Sequence, residues 1–307
     1  MTDLTVLAEG LRFPEGPIAM PDGSVILVEI ARGTLTRVVD GETEVIAHLG
    51  GGPNGAAIGP DGYCYVCNNG GFQWSTAADG RLFPGNEPEN YSSGRIEVVD
   101  LDTRRVEVLY TQCEGLPLRG PNDLVFDSSG GFWFTDHGKR RPREMDRTGI
   151  YYAKADGSHI SEVIFPMEGP NGIGLSADES ELYIAETHTG RLWAYELDAP
   201  GKLRKKRRDK PDGGRLIDGR PGYYLFDSLA VQADGRVCVA TIVDGGITIL
   251  DPKGGEPEHV PMPDLFTTNI CFGGDDLKTA FITLSSTGQL VSMPWETAGL
   301  PLNYLNR

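Results

Sequence analysis

The 307-residue chain carries 44 acidic against 28 basic side chains, a formal charge of -16, together with 41 glycines and 21 prolines. That balance argues against generic binding to nucleic acid or to an anionic membrane, and no stretch approaches the roughly 18 uninterrupted apolar residues that a spanning helix needs. Five cysteines (Cys64, Cys67, Cys113, Cys238, Cys271) are an odd, sparse set, which favours free thiols in a reducing compartment over a disulfide framework.

The N-terminal "MTDLTVLAEGLRFPEG" has neither a basic leader before an apolar run nor a small-residue cleavage pattern, so the expectation is a soluble cytoplasmic protein made without export. From Met20 onward one phrase recurs: a turn rich in Asp, Gly or Ser, then a short alternating apolar strand. It reads "MPDGSVILVEI" from Met20, "GPDGYCYVCNN" from Gly59, "DSSGGFWFTDH" from Asp127, "SADESELYIAE" from Ser176, "QADGRVCVATI" from Gln232 and "GGDDLKTAFIT" from Gly273. Asp-Gly and Gly-Gly steps form hairpins, and the Val, Ile, Phe, Tyr and Trp that follow favour pleated strands. The spacing of the copies brackets a four-stranded propeller blade with variable insertions. Long stripes of helical period are scarce, and the glycines and prolines would interrupt helices repeatedly. The predicted fold is all-β, a six-bladed β-propeller forming a single domain over residues 1–307. A β-sandwich would also need many short strands but gives no reason for six similarly worded units.

Within the second copy, Cys64 and Cys67 form a CxxC on a strand, where side chains three apart face opposite ways; redox or zinc use is not expected of them. The segment "NGGFQWSTAADGRLFPGNEPENY", Asn69 to Tyr91, departs furthest from the repeat. It either folds over its own aromatics or walls a pocket with Phe72, Trp74 and Phe83. A second insertion, "HGKRRPREMDRTG", places basic residues after the third repeated strand. The tract "KLRKKRR", Lys202 to Arg208, reads as a solvated outer hairpin rather than a nucleic-acid reader.

Polar residues precede the repeated strands at matching places: Glu15 in "FPEGPIAMPDG", Asn54 in "GGPNGAAIGPDG", Asn122 in "LRGPNDLVFDSSG", Asn171 in "EGPNGIGLSADE" and Asp227 in "YYLFDSLAVQADG". In a propeller the innermost strands line the channel, so equivalent positions converge although remote in sequence. Oxygen donors from Glu15, Asn122, Asn171 and Asp227 suit a hard divalent cation, calcium first and magnesium next, with manganese or zinc less favoured in a set lacking His and Cys. Two carboxylates supply charge, and two amides supply oxygen without added repulsion. An asparagine after Gly-Pro also makes a turn by bonding its own backbone, and Asn171 alone carries either reading.

The phrases "FPEGP", "GPNDLVFDSSGGFWFTD", "GPNGIGLSADESELYIAETHTGRLW", "DSLAVQADGRVCVA" and "TTNICFGGDDLKTAFIT" resemble the family that groups gluconolactonase, regucalcin (the senescence marker protein), the luciferin-regenerating enzyme and, more distantly, diisopropylfluorophosphatase. The resemblance runs from about Glu9 to Thr283. It implies a six-bladed propeller with a catalytic divalent cation at one mouth of the channel. Carried over by motif, the ligands fall on Glu15, Asn122, Asn171 and Asp227; some members ligate directly through only three, with the first asparagine nearer substrate or water. Relatives that act on sugar-acid lactones carry an arginine two residues before that asparagine. Here Gly120 stands there, with Arg119 one step away, and a sugar-holding glutamate falls near Arg140. Arg119 and Arg140, with Asn54, Phe72 and Trp74, are the candidate substrate-binding residues, and the positive insertion would favour a carboxylated substrate.

The function expected is metal-dependent hydrolysis of a lactone, a cyclic ester, with Asp227 as general base or as the residue that orients the attacking water. Alternatives are a phosphotriester or aryl-ester hydrolase on the same ligands, and a noncatalytic calcium-binding or interaction propeller. The partner is a small-molecule substrate, with no nucleic acid or membrane; nothing in the sequence sets an oligomeric state. His137 and His188 each follow a repeated strand and would titrate near neutrality as further proton carriers. Asp136 and Glu186 end their strands in similar positions, whereas His48 and His159 have no comparable claim. Ser92 and Ser93 show no nucleophile elbow, and Ser228 reads as a turn hydroxyl.

Overall fold

Residues 4–204, 208–219 and 222–307 are described by a computed structural model, and they form six antiparallel blades around a channel. Each begins at the channel and runs outward. The innermost strands are Pro14–Ala19, Pro53–Ile58, Pro121–Phe126, Pro170–Leu175, Leu225–Val231 and Thr267–Gly273. The second strands are Val25–Glu29, Cys64–Asn68, Gly131–Asp136, Glu181–Glu186, Val237–Ile242 and Thr279–Leu284. All six repeated phrases therefore fold as the same hairpin, because the turn chemistry is local and each apolar run is buried between two neighbouring blades.

Both chain ends meet in the sixth blade, where Thr5–Ala8 pairs with Gln289–Pro294 as the outermost strand and closes the ring. In the second blade Tyr65 and Cys67 pack toward the third blade while Cys64 and Val66 pack toward the first. The two cysteines are thus on opposite faces, and burial pushes the Cys64 thiol up to about 12. All five cysteines are free. The blade-3 to blade-4 interface is centred on Trp133, which is fully buried among Ile150, Ile173, Ile184 and Trp193.

Blade 4 carries two short outer pieces, Lys202–Leu203 and Arg215–Asp218, both paired with Arg191–Ala199. Of the basic tract, Lys202–Leu203 pairs in this outer position and Arg204 bonds Asp198 at 2.8 Å; Lys205, Lys206 and Arg207 lie outside the described residues. No helix among the described residues is long and apolar enough to cross a membrane.

The far half of the channel is an apolar cavity lined by Ile18, Ala57, Leu124, Leu175, Val231 and Phe272, with Leu302 and Leu305 of the C-terminal segment over it. Tyr304 packs edge-on against Phe126 at 5.9 Å, and Asn303 donates to Phe126 O at 3.1 Å.

Candidate functional site

The six innermost strands share one irregularity. In each, the strand register slips just after its first residues: between Glu15 and Ile18, Pro53 and Ala56, Pro121 and Leu124, Pro170 and Ile173, Phe226 and Leu229, and Thr267 and Asn269. A bulge of this kind re-aims the side chains beside it. At that level stand Glu15, Asn54, Asn122, Asn171, Asp227 and Thr268. Two glycines show how closely the strands approach there: a Cβ at Gly55 would lie 2.5 Å from Asn122 O, and one at Gly172 would lie 2.7 Å from Asp227 O. Only glycine permits that contact, so the polar residues before them are held side by side around the channel.

All five ring positions named from sequence are buried. The sixth, Thr268, is bonded to Thr283 Oγ1 at 2.9 Å and to Ser285. Two residues the sequence reading passed over sit one step further along their strands. Asn269 donates to Glu15 Oε2 at 2.7 Å, and Asp123 is a third buried carboxyl. Burial, then the Asn269, Gly16 and Thr268 hydrogen bonds opposing it, leave Glu15 raised to about 7. Burial and the Glu15 charge push Asp123 up to about 8. Asp227 is held well above the usual carboxylate range by burial first and then by Glu15, with Asp123 adding to it. Burial is the first cause of all three shifts, and the Glu15 charge adds to those of Asp123 and Asp227, so a cation beside them would oppose what burial does.

The amides point the same way. Asn122 Oδ1 is buried with no hydrogen-bond partner among the described residues, an arrangement that costs about 1–3 kcal/mol unless something fills it. Asn171 Nδ2 donates to Thr187 Oγ1 at 3.1 Å, which turns its Oδ1 away from Thr187; that oxygen has only a 3.4 Å contact from Ser228 Oγ. Ser228 is therefore a strand residue beside the ring and not a turn hydroxyl. Among the described residues no three His, Cys, Asp or Glu side chains converge closely enough to hold a metal ion, so a cation here needs the amide oxygens. A donor set of two carboxylates and two amides, one amide oxygen orphaned, fits a hard cation.

The second strands end at the same mouth, since Pro14 pairs with Glu29, Pro53 with Asn68, Pro121 with Asp136 and Pro170 with Glu186. Their terminal residues are clamps. Asp136 accepts from the amides of Arg119 and Gly120 at 2.7 Å and of Gly138 at 2.9 Å. Glu186 accepts from Glu168 N at 3.0 Å and from Trp193 Nε1 and Thr189 Oγ1 at 2.8 Å. Neither carboxylate is free for proton transfer. Asp136→Ala is expected to lower stability by about 3 kcal/mol, because three buried amides lose their acceptor; equilibrium denaturant unfolding measures it.

His137 and His188 come together, ring centroids 5.1 Å apart. His137 departs from the expectation that it titrates near neutrality: burial, then the neighbouring His188, Lys139 and Arg140, push it down to about 3. Its Nδ1 is buried without a partner among the described residues. His188 is open to solvent on part of its ring, while desolvation of the rest and then the Arg140 charge lower it. Arg140 thus stands by both rings, and its side chain and that of Arg119 are exposed. Phe72 and Trp74 are half-buried, in a cluster with Phe13 and Phe266; Trp74 lies 5.1 Å from Phe13 and Phe83 lies 5.3 Å from Phe266. The blade-2 insertion therefore reaches over blade 1 to blade 6, where Leu82 N donates to Ser286 O at 3.0 Å.

Residues 13–286 match the SMP-30/Gluconolactonase/LRE-like region. The chain is 26% identical to the gluconolactonase of Zymomonas mobilis over 92% of this chain and 79% of that one. It is 27% identical to lactonase drp35 of Staphylococcus saprophyticus over 85% of this chain and 72% of that one. Among solved structures, the calcium-binding protein regucalcin of Agrobacterium tumefaciens superposes with a TM-score of 0.74 at 20% identity, covering 99% of each chain. The gluconolactonase of Xanthomonas campestris superposes with a TM-score of 0.74 at 21% identity, covering 95% of this chain and 89% of that one. With a family match over most of its length and the same propeller, this chain belongs to the SMP-30/gluconolactonase/LRE-like family.

Proposed function

We propose that the protein is a metal-dependent hydrolase of lactones, with one divalent cation, calcium first, held by Glu15, Asn122, Asn171 and Asp227. Family and fold point to a lactonase-type hydrolase; the observation that carries the metal is the buried, unpartnered Asn122 Oδ1 beside carboxyls that repel one another. Held by these four residues, a divalent cation would supply Lewis-acid polarisation of the ester carbonyl and electrostatic stabilisation of the negative charge that develops on its oxygen.

The chain's residues supply the rest. Asp227 orients the attacking water and takes its proton as the oxygen adds to the carbonyl carbon. The ring C–O bond then breaks, and the leaving alkoxide takes up a proton to give the hydroxy acid. Exposed His188 is better placed than His137 to exchange that proton with solvent. His137, neutral throughout the physiological range, offers its ring nitrogen as a hydrogen-bonding group. Asn54, Phe72, Trp74, Arg119 and Arg140 are the proposed substrate-side residues, and exposed guanidinium groups on a chain of -16 favour a substrate bearing a carboxylate.

The test is an assay of calcium-loaded protein against sugar lactones, aliphatic lactones, aryl esters and phosphotriesters. Lactone turnover that a chelator abolishes and calcium restores is expected. Preference for phosphotriesters would move the reading to that chemistry, and stoichiometric calcium without turnover of any member would make the protein a binder.

A further inference from the structure

Lys139 stands outside the proposed ligand set, yet it is the one lysine buried among the described residues, 2% exposed. Its ammonium donates to Asn69 Oδ1 at 3.0 Å and to Gly71 O at 2.6 Å. It also lies 4.2 Å from the Phe72 ring centroid and 5.6 Å from that of Tyr91, both within cation–π range. Removing an ammonium from water costs several kcal/mol. Burial drags its pKa down to about 7, with the Asp136, Glu87 and Asp146 carboxylates opposing. A methionine would fill similar space without that cost, so packing gives no reason for a charge at this place.

Its partners do. Asn69, Gly71 and Phe72 open the blade-2 insertion, while Lys139 belongs to the blade-3 insertion, two residues after His137 and one before Arg140. The same two segments meet again further along: Arg141 Nη1 donates to Glu87 Oε2 at 3.0 Å, and Glu87 N donates to Arg140 O at 2.8 Å. Arg141 is itself held by Asp146, with Nη2 to Oδ1 at 2.6 Å, across the short hairpin Arg140–Arg141 with Glu144–Met145. At the end of the insertion Tyr91 Oη donates to Arg119 O at 2.5 Å. Phe72 stands edge-on to Trp74 at 5.9 Å, so a ring fixed by the ammonium fixes the next one.

We propose that Lys139 is a positioning residue: it latches the blade-2 insertion to the blade-3 insertion and so sets the separation between the aromatic side of the mouth, Phe72 and Trp74, and the side that carries the Arg140 guanidinium and the neutral histidine pair. Substrate fit depends on that separation, so the latch governs KM more than kcat; this second clause rests on the lactonase reading. The hydrogen bonds of the ammonium go to Asn69 and Gly71, both outside the ligand ring, so its removal is expected to act on binding more than on the chemical step.

Lys139→Met keeps an unbranched side chain one atom shorter and removes its charge and donors. Hydrogen exchange across residues 69–91 is expected to speed up about 10-fold or more while the six innermost strands keep their protection. KM for the best lactone is expected to rise about 10-fold with kcat within about twofold. Glu87→Gln, which weakens the Arg141 arm and removes one of the carboxylates facing Lys139 but leaves the Asn69 and Gly71 bonds, is expected to move both readings the same way by less. Unchanged exchange in Lys139→Met overturns the latch, and faster exchange with unchanged KM overturns its role in specificity. If Lys139→Met does not fold, Glu87→Gln decides on the same two measurements. If the wild-type protein turns over no lactone, the functional reading fails and exchange alone still decides the latch.

Discussion

Asp227→Asn is expected to lower kcat by about 100-fold or more while raising the melting temperature of the metal-free protein. The two effects have one source. Asparagine has the shape of aspartate and retains one carbonyl oxygen for a cation, but it takes no proton, and loss of a general base removes roughly 10²–10⁴ in rate. The same carboxyl is a burden on the empty fold. It is buried, then raised well above its ordinary range by Glu15 and Asp123, so a neutral amide relieves repulsion with both. A merely disruptive substitution would lower activity and stability together. The measurements are kcat at saturating calcium, calcium stoichiometry by calorimetry, and thermal unfolding by circular dichroism in chelator. Full turnover by a calcium-loaded Asp227→Asn protein would remove Asp227 from the chemistry.

The architecture was legible in the sequence because hairpin chemistry is local: each Asp-Gly or Gly-rich turn and its alternating strand sit within about a dozen residues. Five of the six ring positions were legible too, since Glu15, Asn54, Asn122, Asn171 and Asp227 stand at matching places ahead of the repeated turns. Thr268 escaped notice because the innermost strand of blade 6 opens with "TTN" and not with a proline or glycine phrase. Asn269 and Asp123 escaped for a stronger reason. Simple alternation assigns the residue after a channel-facing one to the other face, and the bulge in every innermost strand breaks that alternation. The clamps at Asp136 and Glu186 looked like free acids, since the amides that bind them belong to the loop before the innermost strand, 16 to 18 residues away. His137 illustrates the same limit, because its neutrality comes from burial and from His188, a partner 51 positions distant in "AETHTG".

Calcium removal is expected to destabilise the protein strongly at pH 8 and weakly at pH 5. In the metal-free fold Glu15 is raised to about 7, Asp123 to about 8, and Asp227 well above its ordinary value. Unfolded, all three titrate near pH 4. A carboxyl whose folded pKa exceeds its unfolded one takes up a proton on folding, so its contribution to stability is complete below about pH 4 and is lost as pH rises through the folded value. The metal-free protein should therefore lose several kcal/mol between pH 5 and 8. A bound cation reverses the sign, because it needs the ionised carboxylates and binds more tightly as protons leave. Calcium at about 100 times its Kd contributes about 2.7 kcal/mol, worth roughly 5 °C in a domain of this size. Thermal unfolding in calcium and in chelator at both pH values tests this. The two curves should nearly coincide at pH 5 and separate by several degrees at pH 8; coincidence at pH 8 would show that these acids hold no cation.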